Sequence, residues 1–151
     1  MPLNEKPDTV TWPKTHYVYV EKTGPFQTSA PQAWQQLHQL TPAIAKHNTI
    51  EKYFSLYDRE RKIYRAGVST AAEPKELPKG LEHTLFDGGK FSRFILTGSF
   101  SQLPEASGRV FEIVAEKKIP LRPGFNIEHY VNDPRTTPED QLVTEIMFPS
   151  R

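Results

Sequence analysis

The sequence predicts an α+β domain built from two strand–helix–strand–strand halves that share an antiparallel sheet with two helices. Three observations carry this. The chain repeats itself: Tyr17-Val18-Tyr19-Val20-Glu21-Lys22-Thr23-Gly24-Pro25-Phe26 lies over Phe91-Ser92-Arg93-Phe94-Ile95-Leu96-Thr97-Gly98-Ser99-Phe100. Kept further on, the same offset sets Phe54-Ser55-Leu56-Tyr57-Asp58 over Glu128-His129-Tyr130-Val131-Asn132. Finally, 151 residues with 36% hydrophobic and 25% charged content suit one globular domain with a real core.

Residues 1–14, rich in Pro, Asp, Glu and Lys, read as a flexible, solvated lead-in before a single domain over 15–151. Repeat one runs from about residue 15 to 87 and repeat two from about 88 to 149. Tyr17 to Val20 form a strand covered on both faces, which Thr23-Gly24-Pro25 stops. Thr28 or Ser29 then caps a helix that accepts Pro31 in its first turn and carries Ala33, Trp34, Leu37 and Leu40 at helical spacing. Pro42 is expected to end or kink it. Extended segments follow at 50–58, 62–69 and 82–87, with a proline-bearing loop between the last two. After Asp87-Gly88-Gly89 the pattern restarts with a strand at 91–96 and a stop at Gly98. Ser101 caps a helix with Leu103, Ala106, Val110, Ile113 and Val114 on one side. Segments 124–132 and 141–148 supply the last strands.

Composition excludes several chemistries. Nineteen basic and eighteen acidic residues leave a formal charge of +1, which argues against direct binding of nucleic acid or an anionic membrane surface. With no cysteine there is no disulfide, thiolate metal site or cysteine nucleophile. No long apolar stretch marks a signal peptide or membrane span, so the expected location is cytoplasmic. His16, His38, His47, His83 and His129 lack metal-ligand spacing, and neither a phosphate loop nor a serine triad is visible, so no metal or cofactor is expected.

Glu128-His129-Tyr130-Val131-Asn132-Asp133-Pro134, then Thr137-Pro138-Glu139-Asp140, then Leu142-Val143-Thr144-Glu145-Ile146-Met147-Phe148-Pro149 resemble the C-terminal signature of GyrI-like small-molecule-binding domains. The opening at 17–40 and its echo at 91–114 are similar to that family's internal duplication. The resemblance implies tandem βαββ repeats related by a pseudo-twofold, with a central ligand groove. It implies one of several roles: effector-binding domain of a multidrug-sensing regulator, free-standing binder, gyrase inhibitor, or hydrolase of cyclopropane-bearing toxins. No helix-turn-helix precedes residue 15, so the free-standing form is expected. The partner is then a small molecule; a separate regulator or a topoisomerase is a further partner class that the family allows.

The resemblance also assigns Glu128 and Tyr130 to the position where many members carry a glutamate in an aromatic pocket. Strand geometry sets Asn126, Glu128 and Tyr130 on one face, opposite Phe125, Ile127, His129 and Val131. Apolar surroundings would raise the carboxyl's pKa, and a lipophilic cation would relieve its unpaired charge. Tyr17, Tyr19, Phe54 and Phe91 are candidate rings for cation–π contact. Trp34 reads as a core anchor, with a ligand platform as the other reading. Phe54 lies opposite Glu128 in the repeat alignment, so the duplicated scaffold breaks its symmetry with a charge. The leading function is binding of amphipathic ligands, cations included. The alternative is a cofactor-free hydrolase using Glu128 and Tyr130 as acid–base groups, with Glu145 as a candidate second carboxylate.

Overall fold

The computed structural model describes residues 2–151. Two α-helices and eight strands occur among them: β1 (Leu3–Trp12), β2 (Thr15–Thr23), α1 (Phe26–His47), β3 (Ile50–Asp58), β4 (Ile63–Thr70), β5 (Glu82–Phe86), β6 (Gly89–Thr97), α2 (Leu103–Glu116), β7 (Asn126–Tyr130) and β8 (Val143–Pro149). All the pairings described below are antiparallel, giving the α+β class the sequence predicts. The chain divides into two compact units, one spanning Pro13–Gly88 and one joining the chain up to Trp12 with Gly89–Arg151.

In the Pro13–Gly88 unit the strand order is β3-β4-β2-β5, and α1 packs on β2 and β4. Val18, Val20, Ala66 and Val68 of the sheet and Ala33, Leu37 and Ile44 of the helix are fully or almost fully buried. Burial of this kind contributes about 1.5–3 kcal/mol for each large aliphatic side chain. Gly24 makes the turn into α1 with φ +125°, a conformation open chiefly to glycine, while its N–H donates to the Lys62 carbonyl at 2.9 Å.

The helix departs from expectation at both ends. It begins at Phe26, after Pro25, with no side-chain cap, and it runs through Pro42 to His47. Proline at 42 has no N–H for the carbonyl four residues earlier, that of His38. The Thr41 hydroxyl donates to that carbonyl instead, at 3.0 Å, so the helix continues at reduced cost.

In the second unit the order is β7-β8-β6-β1. α2 presents Ala106, Val110, Ile113 and Val114 to Phe94, Leu96, Ile146 and Phe148, with Leu3, Leu103, Phe111 and Ile119 packed around them. The residues expected as a flexible lead-in are instead strand β1, paired with β6 from Leu3–Leu96 to Trp12–Gly89 around a bulge. Their polar composition is that of an edge strand with one solvated side, and ion pairs to residues far along the chain hold it. Arg109 binds Glu5 at 2.9 Å and Arg93 binds Asp8 at 2.6 Å.

The two units share a strand order and connection: β2-α1-β3-β4 in one, β6-α2-β7-β8 in the other. Gly98, at φ +130°, donates to Leu142 at 2.7 Å as Gly24 does to Lys62. Among the described residues no helix is long and apolar enough to cross a membrane.

Candidate ligand-binding site

The strand register fixes which side chains share Glu128's face. β7 pairs with β8 so that Glu128 faces Ile146 and Tyr130 faces Thr144, while β6 sets Phe94 against Ile146 and Leu96 against Thr144. Directly paired residues point to one side of a sheet. Glu128 and Tyr130 therefore sit on the side that carries Phe94, Leu96 and Ile146, the side covered by α2.

There the Tyr130 hydroxyl donates to Glu128 Oε1 at 2.6 Å, a short charge-assisted contact. Both side chains are half-buried. Burial pushes the Glu128 carboxyl above its ordinary range, and the Tyr130 hydrogen bond opposes that only in part. No lysine, arginine or histidine among the described residues lies within ion-pair distance of Glu128. It is a partly desolvated carboxylate with one neutral donor and no cation.

Local structure holds this pair in place. Ser99 Oγ accepts from the Ser101 N–H and starts a 3₁₀ turn at Phe100–Gln102. That turn sets the Phe100 ring edge-on to Tyr130, with centroids 5.4 Å apart. Beyond β7 the Asn132 side chain closes the connection to β8, accepting from Val143 N–H and donating to Gln141.

The opposite face of this unit carries a separate polar network. His129 pairs with Glu145 at 2.7 Å, Glu145 with Arg93 at 2.8 Å, and Arg93 with Asp8, while Trp12 lies edge-on to His129. Burial would raise the Glu145 carboxyl, but the hydrogen bond and charge of His129, with Arg93 behind them, hold it below the ordinary carboxylate range. Glu145 thus stands back to back with Glu128 across the sheet and is not a second carboxylate for it, because register pairs it with His129.

Of the expected rings, one shares the unit of Glu128. Phe91 is on the same unit's far face, under the Arg122 guanidinium at 4.9 Å. Tyr17, Tyr19 and Phe54 stack in the other unit, with Tyr17 centroids 4.5 Å from Phe54 and 5.3 Å from Tyr19. They lie on the side of that sheet turned from α1, where Tyr17 also donates to the Phe54 carbonyl at 2.8 Å. Trp34 is half-buried and donates through Nε1 to the Tyr64 hydroxyl at 2.7 Å, as a core anchor does.

The alignment of Phe54 with Glu128 also needs correction by one residue. Thr23 faces Ile63 and Thr97 faces Val143. Four residues along, Gly67 faces Phe54 and Met147 faces Ile127. Phe54 is therefore the counterpart of Ile127, and Glu128 corresponds to Ser55, whose hydroxyl is fully buried without a hydrogen-bond partner. Tyr57 corresponds to Tyr130. The ring that sequence reasoning missed, Phe100, was signalled by Phe26 in the first copy, which sits edge-on to Tyr57 at 5.8 Å.

Each unit is a four-stranded antiparallel sheet with one helix, and the Gly89–Arg151 unit holds a carboxylate on a tyrosine hydroxyl. The chain matches the GyrI-like small molecule binding domain over residues 5–151 and belongs to that family. Its fold is shared by the EcmrR C-terminal domain, at 16% identity and TM-score 0.78, covering 100% of this chain and 99% of that one. It is shared by SAV2435, solved bound to tetraphenylphosphonium, at 14% identity and TM-score 0.72 (96% and 93% covered). A hydrolase from Listeria innocua is a more distant likeness, at 12% identity and TM-score 0.63 (98% and 93% covered). No curated protein matches the chain in sequence.

Proposed function

We propose that this protein binds amphipathic small molecules, lipophilic cations among them, and that the Glu128 carboxylate selects for charge. The observation that carries this is a half-buried carboxylate whose only hydrogen bond among the described residues comes from Tyr130, with no cation of a described residue beside it. An arrangement of that kind leaves charge compensation to a ligand. Tyr130 and Phe100 add ring surface, worth about 0.5–2 kcal/mol per cation–π contact. The tetraphenylphosphonium held by SAV2435, a protein of the same fold, agrees with this ligand class.

Thermal-shift screening with lipophilic cations and neutral analogues of matched size tests the reading, since a ligand that binds the native state raises apparent stability. Cations should shift the parent and shift Glu128→Gln less. Equal shifts in both proteins for every cation would remove the carboxylate from recognition.

One observation favours a second reading. A carboxyl raised by burial and touching a tyrosine hydroxyl is also an acid–base pair, able to assist hydrolysis of a strained electrophile such as a cyclopropanoid toxin. Mass analysis of the screened mixtures separates the two. Consumption of such an electrophile by the parent well above background, lost by roughly 10²–10⁴-fold in Glu128→Gln, would put hydrolysis first.

A further inference from the structure

We propose that the Glu128 site prefers cations that carry an N–H, namely protonated amines, over onium cations whose charge is enclosed by carbon. The inference rests on the cation-binding reading above and narrows it. Glu128 presents two oxygens, and the structure commits one of them: Oε1 accepts the Tyr130 hydroxyl at 2.6 Å. Oε2 accepts no hydrogen bond from any described residue, and no guanidinium, ammonium or imidazolium of a described residue lies within ion-pair distance of the carboxylate.

An ionised carboxylate is an acceptor only, with about four lone-pair sites on its two oxygens. A half-buried one with a single donor is under-supplied. A protonated amine meets both needs at once, bringing a positive charge and an N–H that approaches oxygen to about 2.7–2.9 Å. A quaternary ammonium or tetraarylphosphonium supplies charge alone. Its alkyl or aryl shell keeps the charged centre farther from the oxygen, and Oε2 stays unbonded.

Tyr130 sharpens the distinction. Its ring is braced by Phe100 and its hydroxyl is held on Oε1, so the tyrosine acts as a fixed donor on one side of the carboxylate. Glu128 is in turn fixed by its strand, through pairing with Ile146, and by the His129–Glu145 lock on the next residue. A carboxylate pinned at one oxygen offers the other in a set direction. Directional acceptance rewards an N–H donor and gives nothing to an onium ion.

The test is isothermal titration with a matched pair: an aryl-alkyl tertiary amine and its N-methylated quaternary salt, at a pH where the amine is protonated. A tertiary amine carrying one extra methylene controls for bulk. The parent should bind both tertiary amines about tenfold more tightly than the quaternary salt, the usual advantage of a charge-assisted hydrogen bond. In Glu128→Gln the preference should fall to about twofold or less, and in Tyr130→Phe it should persist because Oε2 is untouched. A quaternary salt bound by the parent as tightly as the amines, with both weakened by Glu128→Gln, would overturn the N–H preference and leave cation binding standing. Failure of all three ligands to bind, or equal affinities in the parent and Glu128→Gln, would overturn both. The comparison within the parent needs no mutant, so it holds even where a variant folds poorly.

Discussion

Replacing Tyr130 by phenylalanine removes one hydroxyl and leaves the ring against Phe100, so it isolates the 2.6 Å bond to Glu128 Oε1. A hydrogen bond to a charged group is worth roughly 1.5–3 kcal/mol, and the half-exposed setting of this pair places it near the lower end, about 1.5–2 kcal/mol. For a chain of this size 1 kcal/mol moves the midpoint by about 2–4 °C, so Tyr130→Phe should melt roughly 3–8 °C lower at neutral pH. Thermal and urea unfolding of the parent, Tyr130→Phe, Glu128→Gln and the double variant give the coupling directly. It should be about 1.5–2 kcal/mol at pH 7 and fall toward the neutral hydrogen-bond range of about 0.5–1.5 kcal/mol in acid.

Burial of the carboxyl adds a separate pH dependence of opposite direction. Burial raises the folded-state pKa of Glu128 above its unfolded value. Stability from this group is therefore fully present below the unfolded value and is lost as pH rises through the folded one. Glu128→Gln should escape that loss and be least disadvantaged at neutral pH. Coupling of zero at pH 7, or coupling that grows on acidification, would refute the reasoning.

Three further outcomes follow from the geometry. Glu145 is held ionised by His129 and Arg93, so its stabilisation is present above its unfolded pKa and lost as pH falls through its lowered folded value. Glu145→Gln should cost about 1–3 kcal/mol in urea unfolding at pH 7 and little in strong acid, and equal losses at both would contradict the network. Gly67→Ala would set a methyl carbon against the ring and hydroxyl of fully buried Tyr17, and overpacking of this kind costs about 1–3 kcal/mol, read as a lowered urea midpoint. Gly98→Ala should destabilise by about 1–3 kcal/mol because φ is +130°, whereas Gly108→Ala, in α2 with open space around it, should stabilise by about 0.5–1 kcal/mol; the opposite order would contradict the turn assignment.

Much of the fold could be read from local signals. The Thr-Gly turns at 23–24 and 97–98 recur because positive φ demands glycine in each unit, and that made the repeat visible. β1 escaped detection because an edge strand can be polar along its length when its partners, such as Arg93 and Arg109, come from far along the chain. Pro42 does not end the helix, because the Thr41 hydroxyl covers the orphaned carbonyl within the same helical turn.

For the site, period-two alternation gave the Glu128–Tyr130 pair, which needs only neighbours on one strand. It could not give Phe91, Tyr17, Tyr19 or Phe54 their faces, since those depend on register with other strands. A one-residue slip in alignment exchanges the two sides of a sheet. By strand register it is Ser55, one residue past Phe54, that matches Glu128.

Calorimetric affinity of tetraphenylphosphonium for the parent and for Glu128→Gln measures most directly whether the Glu128 charge recognises a cation. The parent should bind with a Kd that rises about 5–150-fold in the variant, the equivalent of about 1–3 kcal/mol for loss of a charged partner. The affinity of a neutral aromatic of similar size should change by less than about threefold. An unchanged phosphonium Kd, in a variant that unfolds with the parent's cooperativity, would contradict the claim.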